Sequence, residues 1–62
     1  MKVKELMQIM TADFVTISYN EKGTVFEDYR TKDAVTKYGE AEIVYAHAVE
    51  RNHIRIYIYR EA

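Results

Sequence analysis

Near the end of the chain, Ile54, Ile56 and Ile58 alternate with Arg55, Tyr57 and Tyr59. Successive side chains on a strand point to opposite faces, so a period-two pattern separates into two surfaces only in β-structure. One surface here is all isoleucine and must be buried against apolar partners. The other is an arginine followed by two tyrosines, more aromatic than solvation alone requires. The segment predicts a sheet with a core on one side and a candidate working surface on the other.

The rest of the chain supplies elements to complete that sheet. Val3, Leu6, Met7 and Met10 fall at i, i+3, i+4 and i+7, which predicts an amphipathic helix over residues 2–10, with Ile9 widening its apolar stripe. Phe14 to Tyr19 alternates and is rich in β-formers, with Val15 and Ile17 on one side. Asn20-Glu21-Lys22-Gly23 reads as a hairpin loop, and Thr24 to Tyr29 as the returning strand, with Phe26 taken as the inward residue. Thr31 suits an N-cap, Asp33 a first turn and Gly39 the C′ position, so a second helix is expected over 31–38 with Ala34, Val35 and Tyr38 on one face. Glu42 to Glu50 predicts a third strand, with Val44, Ala46 and Ala48 on one face and Ile43, Tyr45, His47 and Val49 on the other. Arg51-Asn52 makes a tight turn, Asn52 being tolerant of left-handed geometry, and the last strand runs from Ile54 to Arg60.

The expected order is α-β-β-α-β-β. That predicts one α+β domain over residues 1–62, a four-stranded, mostly antiparallel sheet with two helices on one face. The isoleucine strand has the most continuous apolar face and belongs in the interior, giving the expected strand order 2-1-4-3.

A 62-residue chain buries only about 60% of the surface its unfolded form exposes, and no cysteine is present to staple it. Self-association is one route to added stability. Nine basic and ten acidic residues give a net charge of −1. No concentrated positive field draws nucleic acid, and the chain is too weakly acidic to imitate DNA by charge. No apolar run approaches the ~20 residues that span a bilayer, and the N-terminus does not read as a signal peptide. The expectation is a cytoplasmic protein without membrane contact.

Two resemblances bear on this order. Val3-Lys4-Glu5-Leu6-Met7 and Asp13-Phe14-Val15-Thr16-Ile17-Ser18 resemble the opening of a cystathionine-β-synthase-type nucleotide-binding motif. That family continues into a proline-containing turn and a long helix, whereas Tyr19 to Gly23 leads into another strand, so no adenosine-binding residue carries over. The second resemblance covers almost the whole chain. Lys2 to Leu6, the hairpin at Glu21-Lys22-Gly23-Thr24-Val25-Phe26, the strand start Glu42-Ile43-Val44, the turn Asn52 and the strand Ile54 to Ile58 are similar to a diffuse group of small uncharacterised proteins of Gram-positive bacteria and their phages. The resemblance implies the α-β-β-α-β-β order and a phage or mobile-element setting, and brings no known activity. Tyr45 and His47 depart from the small polar residues of that pattern.

No catalytic or cofactor motif is present. His47-x-x-Glu50-x-x-His53 has histidines in a metal-like spacing, but strand and turn geometry send them apart and no fourth ligand is evident. Ser18 is the only serine, and nothing places a histidine held by a carboxylate beside it. The chain therefore reads as a non-enzyme with no cofactor. Glu27, Asp28 and Arg30 beside Tyr29 read as a charged hairpin edge kept soluble. The face away from the helices remains: Tyr45, His47, Arg55, Tyr57 and Tyr59, with Thr16 and Ser18 nearby. Tyrosine and arginine are enriched where interfaces carry their energy. Three uses compete: cross-strand packing, binding of another protein or of a second copy in a homodimer, and a stacking platform for single-stranded nucleic acid. The expected function is a small protein-binding module, in its most concrete form a phage-encoded modulator of a host protein.

Overall fold

The computed structural model describes residues 1–59. The element order is α1 (Val3–Ile9), β1 (Phe14–Asn20), β2 (Thr24–Arg30), α2 (Thr31–Tyr38), β3 (Ile43–Glu50) and β4 (His53–Ile58). The four strands form one sheet in the order β2-β1-β4-β3. Both hairpins are antiparallel, and the central pair β1 and β4 is parallel, so the sheet is mixed. The architecture is α+β, in the predicted element order and strand order, with β4 interior. Arg60, expected in the last strand, lies outside the described residues, and Tyr59 follows the strand's end.

The core lies between the helices and one face of the sheet. Val15, Ile17 and Tyr19 of β1 and Ile54, Ile56 and Ile58 of β4 meet Val3 and Leu6 of α1 and Ala34 of α2, all buried. This is the isoleucine face of the sequence, and it points as the alternation requires. Small Ala34 brings α2 close to the sheet, and Met7, Tyr38 and Ile43 pack around the rim. Among the described residues, no helix is long and apolar enough to cross a membrane.

Several local expectations are corrected. The stripe of α1 is shorter than its heptad spacing suggests. The helix stops at Ile9, which is 71% exposed, and Met10 is already extended and outside the core. In β2, Val25, Glu27 and Tyr29 face the helices, and Phe26 points the other way, 53% exposed. The register sets this: Phe26 lies opposite Ser18, and Ser18 is on the sheet face opposite to Ile17. In β3 a bulge between Ile43 and Tyr45 breaks the period of two. Ile43 thereby sits opposite Ile58 on the helix side, while Tyr45 sits opposite Tyr57 on the outer side.

The turn chemistry also differs. Positive φ falls on Lys22 (56°) and Gly23 (121°), and not on Asn52. Thr31 does not cap α2. Arg30 occupies that position, and the Thr31 hydroxyl instead donates to the Ala12 carbonyl, tying the helix start to the segment before β1. Gly39 is the C-cap residue with a right-handed φ of −54°, so left-handed freedom is not its purpose. A Cβ there would collide with the Val35 carbonyl oxygen at 2.4 Å, while Lys4 would lie at ordinary contact distance. The Lys4 amide donates to the Gly39 carbonyl at 3.0 Å, tying α1 to the end of α2.

Candidate functional site

The outer face of the sheet can be read as three rows of paired residues, each crossing β2, β1, β4 and β3. The first is Phe26, Ser18, Tyr57 and Tyr45. The second is Asp28, Thr16, Arg55 and His47, and the third is Arg30, Phe14, His53 and Glu50. Among the described residues, no helix covers these rows. Three of the five residues singled out from the sequence, Tyr45, His47 and Tyr57, come together as a stack. The Tyr45 and Tyr57 rings lie 4.4 Å apart at 17°, and His47 is 6.1 Å from each. The Tyr57 hydroxyl, as a hydrogen-bonding neighbour, is the main cause of a raised pKa at Tyr45.

Arg55 belongs to the same face but turns toward β2. Its guanidinium carbon lies 5.0 Å from the Phe26 ring centre, a cation–π distance, and its Nε is buried without a partner among the described residues. A second pair, Arg30 over Phe14 at 5.9 Å, repeats the arrangement one edge away. Tyr59 is 67% exposed past the end of β4 and lies outside the stack. Phe26 was missed by sequence reading because β2 offers two adjacent apolar residues, Val25 and Phe26, and alternation alone cannot orient such a pair, whereas Phe14, which the alternation with Val15 and Ile17 puts on the outer face, was left out of the candidate residues. The register opposite Ser18 decides it.

The middle of the face is polar and tight. Thr16, 3% exposed, donates its hydroxyl proton to Asp28 Oδ1 at 2.6 Å and contacts His53 Nε2. With that proton committed to Asp28, the oxygen can only accept from His53, which places the imidazole proton on Nε2. This is a three-strand clamp holding β2, β1 and β4 in register. It is not arranged to activate the hydroxyl, since the histidine donates to it. Ser18 is fully buried, and its Oγ has no partner among the described residues. Its small side chain leaves a hollow of about 310 Å³ lined by Ser18, Asn20, Thr24, Val44, Tyr45 and Tyr57, among others. His47, Glu50 and His53 do not assemble, and among the described residues no group of metal-ligating side chains comes together.

On the helix side, Glu27 is not the solvated edge charge expected of it. Its carboxylate accepts hydrogen bonds from Tyr19 at 2.6 Å, Tyr38 at 2.8 Å and Tyr29. Those phenols, with a smaller contribution from Lys37, lower its pKa to about 2. Lys37 donates to the Tyr29 hydroxyl at 3.1 Å and lies over the Tyr29 and Tyr38 rings. The pKa of Tyr29 is raised chiefly by its bond to Glu27, and that of Tyr38 chiefly by burial. The cluster joins β1, β2 and α2. No sequence signal marks it, because the contributing residues are separated by up to nineteen positions, from Tyr19 to Tyr38.

The N-terminus is fastened at the opposite side. Lys2 and Lys4 both pair with Glu40, whose pKa falls to about 2 through those hydrogen bonds. The terminal ammonium meets Glu42 at 3.1 Å. No protein-family model, no curated protein and no solved structure matches this chain.

Proposed function

We propose that the protein is a non-catalytic binding module whose outer sheet face engages another protein. The observation that carries this reading is the first row. It sets Phe26 and Tyr45, each 53% exposed, at the two ends of one row on the outer face, with Tyr57 stacked against Tyr45 beside the hollow that Ser18, Tyr45 and Tyr57 line. Packing alone does not need these rings in water, because the core of this domain lies on the other face. Exposed aromatics beside an arginine are the residue types that anchor protein interfaces. Asp28 and Glu50 among Arg30, Arg55 and His47 give the face mixed charge, which suits a protein more than a polyanion. In biological terms the module is a cytoplasmic, phage or mobile-element encoded modulator of a host protein, an assignment supported by small size and by its sequence resemblance.

A second reading, single-stranded nucleic acid, is favoured by the near-parallel stack of Tyr45 and Tyr57, on whose open ring a base could lie. It requires strong salt dependence of binding.

Truncating Tyr57 to alanine tests the proposal. Association with the partner recovered from a host lysate should weaken by ~2 kcal/mol, about thirtyfold, if Tyr57 is an anchor. Thermal melts should shift far less than for a core truncation. A Tyr57→Ala protein that melts normally and keeps every partner at wild-type affinity refutes the assignment of this face.

A further inference from the structure

The two edges of the sheet are chemically unlike. β2 forms one, and Glu27, Asp28 and Arg30 interrupt it with charge. Charges of this kind discourage another strand from pairing there. β3 forms the other. Its residues Ile43 to Val49 include no charged side chain, and Val44 and Val49 are 46% and 42% exposed. One end of this edge is already closed within the chain: the Ile43 amide donates to the Met1 carbonyl at 2.9 Å, and Lys2 bridges Glu42. From Tyr45 to Ala48 the strand pairs with β4 alone among the described residues. An uncharged, apolar, half-paired strand is a template for another strand.

We propose that β3 pairs antiparallel with β3 of a second copy, about a twofold axis at Ala46, to make one continuous eight-stranded sheet. The open stretch is centred there. It is bounded on one side by the Met1 contact at Ile43 and on the other by the irregularity between Ala48 and Glu50. The edge is its own complement, because a twofold axis brings each residue type against an uncharged one and no like charges meet within the paired segment. In this register Tyr45 lies opposite His47 of the second copy, and His47 opposite its Tyr45. The Tyr45, Tyr57 and His47 stacks of the two copies then meet as one aromatic strip across the axis. The unlike edges also select a closed pair. A head-to-tail arrangement would set β3 on the charged β2 edge and would propagate as an open filament. The second copy supplies what a chain this small lacks, a larger continuous sheet.

Sedimentation velocity from micromolar to millimolar concentration tests the pairing, together with amide hydrogen exchange and the variant Ala48→Lys. The expected result is a monomer–dimer equilibrium in which amides of Val44 to Ala48 exchange more slowly as concentration rises. Ala48→Lys places a charge on the exposed edge. It should weaken dimerisation at least tenfold while leaving the melt of the dilute protein unchanged. A chain that is monomeric at every concentration overturns the inference, as does a dimer whose β3 amides exchange at the same rate throughout. The inference does not rest on the partner-binding reading, and the two fail separately. A monomer whose partner binding depends on Tyr57 refutes only the strand pairing, and a β3-paired dimer indifferent to Tyr57→Ala refutes only the partner face.

Discussion

Replacing Glu27 with glutamine keeps the shape of the side chain and removes its charge. In the native protein one carboxylate oxygen accepts from Tyr19, and the other accepts from Tyr29 and Tyr38. An amide retains one acceptor oxygen. Its nitrogen is a donor, so at least one phenol must rotate and accept instead. Hydrogen bonds to a charged group contribute ~1.5–3 kcal/mol, against ~0.5–1.5 for neutral ones, so each of the three bonds loses about 1 kcal/mol. The Glu27 side chain is 28% exposed, and water offsets part of that loss. The expected cost is therefore ~1–2 kcal/mol, a drop in melting temperature of roughly 5–15 °C for a domain this small. The pH dependence gives an independent signature. The folded pKa of about 2 lies below the ordinary 4.5, so the charged carboxylate stabilises the fold fully above the unfolded value and less as pH falls toward 2. Glu40 is lowered in the same sense, so the wild-type acid slope contains both groups. The difference between wild type and Glu27→Gln isolates one of them. Urea unfolding followed by far-ultraviolet circular dichroism at neutral pH and in the acid range measures it. The gap between the two proteins should be widest near neutral pH and close on acidification. Equal stability at neutral pH, or parallel acid curves, would show that the three phenols do not hold this carboxylate.

Two further substitutions test the packing. Ile56 is fully buried on a strand flanked by Ile17 and Ala46, where the sheet cannot collapse into a cavity, so Ile56→Ala should cost ~2–5 kcal/mol and leave the protein largely unfolded in a thermal melt. Gly39→Ala should destabilise by ~1–3 kcal/mol, measured by chemical denaturation, because the added methyl group meets the Val35 carbonyl rather than open space. At Gly23, where nothing lies within 4 Å but φ is 121°, alanine should also destabilise, through backbone strain alone.

The alternation of Ile54, Ile56 and Ile58 with Arg55 and Tyr57 determined which face of β4 is buried, because a strand has only two faces and the two residue sets differ sharply in the cost of exposure. The same segment, apolar on one face without interruption, called for neighbours on both sides, and its interior place followed. Helix and strand order was equally legible, since periods of 3.6 and 2 are local properties of a chain. Where local patterns were balanced, only the tertiary structure decided. Val25 and Phe26 are both apolar and adjacent, so pairing of Phe26 with Ser18 chose the outward residue. Ile43 and Tyr45 have the same parity, and a bulge, which no composition announces, sent them to opposite faces. Gly39 carried a capping signal from its type alone, while its actual constraint is the Val35 carbonyl, which the right-handed backbone at Gly39 brings to 2.4 Å of where a Cβ would sit. Glu27 shows the limit most clearly. Between Asp28 and Phe26 in sequence it reads as a solvated edge charge, but the chain brings three phenols to it from β1, β2 and α2. A carboxylate's partners are set by distances in space, and those exist only once the sheet and the helix have been assembled.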